Sequence, residues 1–410
     1  MGYGLLGRKL SHSYSPEIHE MLGSVPYRLY PIEPDCLNEF FQTNLFKGIN
    51  VTIPYKKTVL PYCDSLSPVA QKLGAVNTIV RTDDGCIWGH NTDYYGFQYM
   101  LKKSGLNVKG KKVLVLGSGG ASLTVNAVLR DEQAQVITIS RSGENNYSNI
   151  NRHYDASIIV NATPVGMYPN AGESPLDLKH FPQLEGVLDL IYNPARTALL
   201  LQAEELGITA ENGLWMLIAQ AKESAQLFLG RTIPDSVIGE IHRKLRLKLE
   251  NIVLIGMPGS GKTTIGRELA KQLGKTFVDA DEEITQRAGK SIPEIFAQEG
   301  ESYFRTLETE VLAELCKQSG IVISTGGGCV TQPINRNSLR QNSTVIWVKR
   351  DLSALPTDGR PLSQQSNLSE MYKIREPMYA SFSDYAIDNI GCIQDSVEMI
   401  LNILKTECNQ

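Results

Sequence analysis

Eight consecutive residues, Gly256 to Thr263 (GMPGSGKT), have the composition and spacing to hold a polyphosphate. The glycines let successive backbone N–H groups turn inward, Lys262 reaches the outer phosphates, and the Thr263 hydroxyl can ligate Mg²⁺. Gly259, Ser260, Gly261, Lys262, Thr263 and Thr264 are therefore the expected nucleotide contacts, with Lys262 also a catalytic candidate. Further on, FVDADEEI at 277–284 places Asp279 and Asp281 two apart at what reads as a strand end. That spacing projects both carboxylates from one face, about 6–7 Å apart. One can serve Mg²⁺ and the other can accept a proton from an attacking hydroxyl. No histidine occurs from 251 to 410, so a carboxylate must act as the base. The plain alternative is a pair of helix-capping acids before Glu282.

A second glycine turn, Gly117-Ser118-Gly119-Gly120-Ala121-Ser122, lies between an apolar run and a helical pattern. It lacks the third glycine of the usual dinucleotide fingerprint. Its context nevertheless presents free N–H groups and the positive end of a helix dipole to a pyrophosphate, with Gly117, Gly119, Gly120 and Ala121 nearest. The next apolar run ends at Ser140-Arg141-Ser142 with no carboxylate for a ribose 2′-hydroxyl, and Arg141 suits a 2′-phosphate instead. NADP(H) is the expected cofactor. The following Gly143-Glu144 supplies no second cation to support Arg141.

These residues need elements to hold them, and the hydropathy pattern supplies α/β units throughout. From Met1 to about Tyr95, runs such as GLLG, GINVTIPYKK and GAVNTIVR alternate with helical stretches such as Pro16–Leu22. Residues 110–140 read as strand, glycine turn, helix and strand, a βαβ unit, with further strands at 157–161 and 186–190. Two helices follow over 215–246, then a strand at 252–255 that enters the phosphate loop. A phosphate loop usually opens its domain, so one at mid-chain in 410 residues points to two proteins joined without a Gly/Ser linker.

A net charge of −4 shows no basic field, so nucleic acid is not an expected partner. No apolar run reaches the length of a membrane span, and the N-terminus lacks the pattern of a secretory signal. Seven cysteines without Cys-x-x-Cys spacing read as reduced thiols of a cytoplasmic protein, with no zinc site and no disulfide framework.

Six motifs in order, HSYSP at 12–16, NVTIPYKK at 50–57, GAVNTI at 74–79, GHNTDYYG at 89–96, NATPVGM at 161–167 and DLIYNP at 189–194, resemble shikimate dehydrogenase. The resemblance implies that Ser13, Ser15, Thr52, Asn77 and Gln220 bind substrate hydroxyls and carboxylate, and that Tyr192 lies near substrate and nicotinamide. It also implies Lys56 and Asp93 as the catalytic pair, which suits a reaction that builds negative charge on oxygen and needs a proton donor. Without the motifs these two would read as a solvated lysine and a turn cap.

SIPEIFAQEGESYFRTLE at 291–308, STGGG at 324–328, GRPL at 359–362 and REPMY at 375–379 resemble shikimate kinase. That resemblance implies a nucleoside monophosphate kinase-like parallel sheet, Asp281 as substrate ligand and base, Asp279 with Thr263 at the metal, and Arg305 and Arg375 on the substrate carboxylate. Glu308, three residues after Arg305, can hold that guanidinium, and the run Gly326 to Gly328 lets backbone approach substrate, Gly327 included. The stretch DLSALPTD at 351–358 is shorter than the family's lid region, which leaves Arg360 as its one cation and a catalytic candidate.

The sequence thus predicts a dehydrogenase substrate domain over 1–95 and 215–246, a Rossmann-type NADP domain over 96–214, and a P-loop kinase domain over 250–410. The expected function is NADPH-dependent reduction of 3-dehydroshikimate and ATP- and Mg²⁺-dependent phosphorylation of the shikimate formed. Small molecules are the expected partners. A non-catalytic sensor of quinate or shikimate, and a quinate-preferring first half, are the alternatives.

Overall fold

The structure, a computed structural model, describes residues 2–10, 13–43, 45–355 and 368–407. The chain divides into two compact units. The first comprises residues up to 165 with 174–192 and 202–242; the second comprises 166–173, 193–201 and 243 onward.

The first unit contains two sheets. Strands β1 (Gly2–Gly7), β2 (Tyr27–Pro31), β3 (Phe46–Val51), β4 (Ser65–Leu66), β5 (Thr78–Arg81) and β6 (Ile87–His90) form a mixed sheet in the order β2-β1-β3-β5-β6-β4. One face packs Leu6, Phe46, Ile49, Val51 and Ile79 against Phe40, Phe41 and Tyr55. The second sheet joins β7 (Lys112–Leu116), β8 (Gln135–Ile139), β9 (Ile158–Asn161), β10 (Gly186–Asp189) and β11 (Thr209–Asn212), all parallel, in the order β11-β10-β9-β7-β8. Numbered within itself this is 2-1-3-4-5, and the connections leave in opposite directions at β7 and β9. Ligands bind at such a switch point, outside the carboxyl ends of the strands. Sequence KVLVL is apolar almost throughout because an interior strand of a parallel sheet is covered on both faces.

The second unit carries one parallel sheet of β12 (Asn251–Ile255), β13 (Thr276–Asp279), β14 (Ile321–Ser324), β15 (Ser343–Lys349) and β16 (Tyr385–Asp388) in the order β13-β14-β12-β15-β16. Alternation along β12 divides the core. Ile252 and Leu254 pack with Ile265 and Leu269 of helix Lys262–Leu273, while Val253 and Ile255 face the cluster of Phe304, Leu307 and Val311 from helix Gly300–Leu315.

Segment 193–201 is tied into this second unit through Arg196. Its Nη1 and Nη2 donate to the two Asp384 oxygens at 3.0 and 3.1 Å, and Nε donates to the Arg340 carbonyl at 2.8 Å. Asp384 also accepts from the Val345 N–H at 2.9 Å and from Arg340 Nη2 at 3.2 Å. Burial alone would raise the Asp384 carboxyl, but the Arg196 guanidinium overrides it and holds the group below its ordinary value. Removing one partner of a buried pair costs about 3–5 kcal/mol, and here Arg340 and Val345 compensate in part. Arg196→Ala should therefore destabilise the second unit by about 2–3 kcal/mol, lowering its calorimetric midpoint by about 5–10 °C. A midpoint unchanged to within a degree would remove Arg196 from the stability of this unit.

Candidate active sites

A cavity of about 460 Å³ in the first unit is lined by Ser13, Ser15, Asn50, Thr52, Lys56, Asn77, Asp93, Ala121, Tyr192 and Gln220, among others. The expected substrate residues thus line one cavity, although they are far apart in sequence. Lys56 Nζ donates to Asp93 Oδ2 at 2.6 Å, and both side chains are mostly buried. Asp93 opens helix Asp93–Ser104, so its charge also faces the helix's positive end. Tyr192 follows β10 and packs on Tyr14, between Ser13 and Ser15, with ring centroids 5.7 Å apart. Burial, and to a lesser extent Tyr14, raises its phenol above the usual value.

Asn50, Asn77 and Gln220 of this lining belong to a polar network that the sequence reading missed. Asn50 Nδ2 donates to Ser224 Oγ at 2.8 Å and to Thr78 Oγ1 at 3.1 Å, and the Ser224 and Thr78 hydroxyls lie 2.8 Å apart. The Thr92 N–H donates to Asn77 Oδ1 at 2.7 Å, Asn77 Nδ2 donates to Thr92 Oγ1 at 3.1 Å, and Ser224 Oγ donates to the Gln220 carbonyl at 2.9 Å. Buried hydroxyls satisfied this fully fix the residues they touch. Two signals were available: Asn50 and Thr92 sit inside the motifs NVTIPYKK and GHNTDYYG, and Ser224 lies one helical turn after Gln220.

Ala121 reaches the same cavity from the first turn of helix Gly120–Asp131. A Cβ at Gly119 or Gly120 would meet nothing within 4 Å, so the N-terminus of this helix opens onto free space, as a pyrophosphate requires. Gly117 closes β7, Ser140 to Ser142 follow β8, and Arg141 and Ser142 are exposed there. The open helix N-terminus and the exposed Arg141 fit a dinucleotide.

In the second unit a cavity of about 240 Å³ gathers Gly259, Lys262, Thr263, Asp279, Asp281, Arg305, Glu308, Gly326, Gly327, Gly328 and Arg375. Lys262 Nζ donates to the Gly256 and Met257 carbonyls of its own loop at 2.9 and 3.0 Å. Ser260 is buried, Gly261 has φ +101°, and Thr264 is exposed in the first turn of helix Lys262–Leu273. Thr263 Oγ1 donates to Asp279 Oδ2 at 2.8 Å. Among the described residues no cluster of three or more His, Cys, Asp or Glu could hold a metal. A hydroxyl and one carboxylate beside a phosphate loop do suit Mg²⁺, which keeps several waters and takes phosphate oxygens.

One expectation needs correction. Asp281 is not on a strand end: β13 stops at Asp279, whose Oδ1 accepts the Asp281 N–H at 3.0 Å and caps helix Ala280–Ala288. The capping and metal readings of Asp279 are compatible because each uses a different oxygen. Asp281 Oδ1 is shut off from solvent with no hydrogen-bond partner. Burial, then the Asp279 charge, raises its carboxyl above the ordinary value. Arg305 Nη1 pairs with Glu308 Oε2 at 2.7 Å, as the three-residue spacing leads one to expect. Burial pushes Glu308 up to about 7 despite that pairing.

The glycines of 326–328 fit closely around these groups. A Cβ at Gly326 would stand 2.7 Å from Glu308 Oε1 and 2.8 Å from Asp281 Oδ1, and one at Gly328 would collide with the Arg305 guanidinium. Arg375 Nη1 donates to the Gly327 carbonyl at 3.1 Å. Arg360 lies outside the described residues.

A lysine–carboxylate pair beside a doubly wound parallel sheet, and a phosphate loop facing paired arginines, define a nucleotide-linked oxidoreductase joined to a P-loop phosphotransferase. Comparison with known proteins names both. Residues 5–79 match the shikimate dehydrogenase substrate binding domain and residues 258–405 match shikimate kinase. A curated shikimate dehydrogenase (NADP(+)) from Clostridium perfringens is 33% identical over 268 residues, covering 60% of this chain and 98% of the relative. A chorismate mutase/shikimate 5-dehydrogenase fusion protein from Clostridium acetobutylicum has 38% identity and a TM-score of 0.57, over 59% of this chain and 96% of that one. Shikimate 5-dehydrogenase from Thermus thermophilus, in complex with NADP(H) and shikimate, has 31% identity and a TM-score of 0.54, over 60% and 99%. The chain belongs to the shikimate dehydrogenase family and carries a shikimate kinase domain at its C-terminal end, a bifunctional enzyme of the shikimate pathway.

Proposed function

We propose that this chain reduces 3-dehydroshikimate to shikimate and then phosphorylates shikimate on its 3-hydroxyl. When bound, NADPH supplies the hydride, and MgATP supplies the phosphoryl group. The observation that carries the reading is that each unit gathers the expected substrate and proton-transfer groups for one of these two steps around its own cavity, and that both steps handle the same hydroxy acid.

In the first unit, Lys56 donates a proton to the ketone oxygen as negative charge develops there, and Asp93, at 2.6 Å, orients the ammonium. Ser13, Ser15, Thr52, Asn77 and Gln220 hold the ring hydroxyls and carboxylate, and Tyr192 covers the face toward the cofactor. In the second unit, Asp281 accepts the proton of the attacking hydroxyl, a task suited to a buried carboxyl whose pKa is raised. Arg305 and Arg375 take the carboxylate as two forks. Lys262 neutralises the outer phosphates, and Thr263 with Asp279 would hold the metal. The order follows from chemistry, because a ketone has no hydroxyl to phosphorylate. Residues 1–95 with 215–246, 96–214 and 250–410 are the proposed substrate, dinucleotide and kinase domains. Small molecules are the proposed partners, and the cytoplasm is the proposed location.

A sensor would need neither the Lys56–Asp93 pair nor Lys262, Thr263 and Asp281 together. The test is a coupled assay: the purified chain with 3-dehydroshikimate, NADPH and MgATP should yield shikimate 3-phosphate, and accumulation of unphosphorylated shikimate would sink the second step. For the cofactor, Arg141→Ala should raise KM for NADPH about 10- to 100-fold and leave KM for NADH nearly unchanged. Only NADPH loses a charge-assisted pair worth about 1.5–3 kcal/mol. Equal effects on both cofactors would acquit Arg141 of discrimination.

A further inference from the structure

Tyr379 is fully buried on helix Leu368–Phe382, one turn after Arg375. Its ring stacks on Trp347 with centroids 5.6 Å apart, and its hydroxyl lies 3.8 Å from the Met257 sulfur and beside the Arg375 guanidinium, a buried oxygen that phenylalanine would not carry. A hydroxyl in such a place is costly unless it is hydrogen-bonded, and it donates to the carbonyl of Gly327. Arg375 Nη1 donates to the same oxygen at 3.1 Å. A carbonyl oxygen has two lone pairs, so this pair of donors saturates it. On its other side Gly327 is pressed against Pro258 of the phosphate loop, where even a Cβ would stand 2.5 Å from the proline ring. The Gly327 peptide is therefore wedged between the phosphate loop and two side chains of one helix.

From this geometry we infer that Tyr379 is a positioning residue for the phosphoryl-acceptor site. Its hydroxyl fixes the Gly327 carbonyl, which in turn fixes the Arg375 fork at the angle that meets the acceptor carboxylate. The inference rests on the kinase reading proposed above. Without the hydroxyl, Arg375 is the one donor left to this carbonyl among the described residues, so the carbonyl and the guanidinium it anchors are held less firmly at that angle.

The test is Tyr379→Phe in the full chain, which removes one oxygen and keeps the packing. KM for shikimate should rise about tenfold, the size of one lost hydrogen bond, while kcat and KM for MgATP stay within about twofold. Reduction by the first unit, measured on the same preparation, should be unchanged. With the carboxamide of shikimate as acceptor, the variant and parent should have nearly equal KM, because the penalty lies in the grip on a carboxylate. An unchanged KM for shikimate, an equal rise for MgATP, or the same penalty with the carboxamide would each overturn the inference. Failure of the parent chain to phosphorylate shikimate would instead overturn the kinase reading, and the inference with it.

Discussion

Lys56→Ala should lower the rate of 3-dehydroshikimate reduction by about 10²-fold or more, with phosphorylation of supplied shikimate kept within about twofold, and Asp281→Asn should do the reverse. The first loss is large because Lys56, the proposed proton donor, lines the cavity and is held by Asp93 at 2.6 Å. Alanine leaves Asp93 as an unpaired acid at the mouth of a helix, where the helix N-terminus still favours its charge, so the fold should survive. The second loss is large because the amide cannot accept the hydroxyl proton. Asparagine keeps the shape of Asp281 and its place in the first turn of helix Ala280–Ala288, whose cap is Asp279. Steady-state rates of both reactions for both variants decide the matter. A folded variant that lost both activities would contradict two chemically independent sites.

Gly328→Ala should abolish phosphorylation nearly as thoroughly, although alanine is a mild substitution elsewhere. Backbone strain has no part in this, since Gly328 has φ −103° and ψ 0°, which alanine adopts. The cause is contact: the added Cβ would occupy the space of the Arg305 guanidinium. That guanidinium is paired with Glu308, whose side chain is 1% exposed, so displacing it breaks a buried ion pair at a cost of about 3–5 kcal/mol. The variant should lose about 10²-fold or more in kcat/KM for shikimate while reduction continues unchanged. The mechanism is separable from general damage by a double-mutant cycle. On an Arg305→Ala background the guanidinium is gone, so Gly328→Ala should add little. Additive losses would mean that the Cβ acts elsewhere.

Contiguous signals are legible in the linear chain. GMPGSGKT works through consecutive backbone N–H groups, so its residues must be adjacent in sequence, and β12 and helix Lys262–Leu273 flank it as expected. The same holds for β7, the turn at Gly117 to Gly120 and helix Gly120–Asp131, where a buried parallel strand leaves an unbroken apolar run. The i, i+3 pairing of Arg305 with Glu308 is readable because helix geometry alone brings such residues together. The placement of Asp281 escapes such a reading for a local reason. Asp-x-Asp fits a strand end and a capped helix start equally well, and the choice depends on where β13 stops pairing with β14.

The α/β class, the two nucleotide loops and, by resemblance, the two families are thus properties of the chain as written, because each depends on residues close in sequence or on motifs kept in order. Which distant groups meet is decided only when the chain folds. Asn50 reaches Ser224 across 174 positions, and Tyr379 shares the Gly327 carbonyl with Arg375. Arg196, inside a stretch flanked by residues of the first unit, anchors in the second. Serine, threonine and tyrosine are ordinary on any surface, and hydropathy cannot mark which of them will be buried. Their roles arise only when the sheets close and leave a hydroxyl in apolar surroundings, where it must find a partner or destabilise the fold.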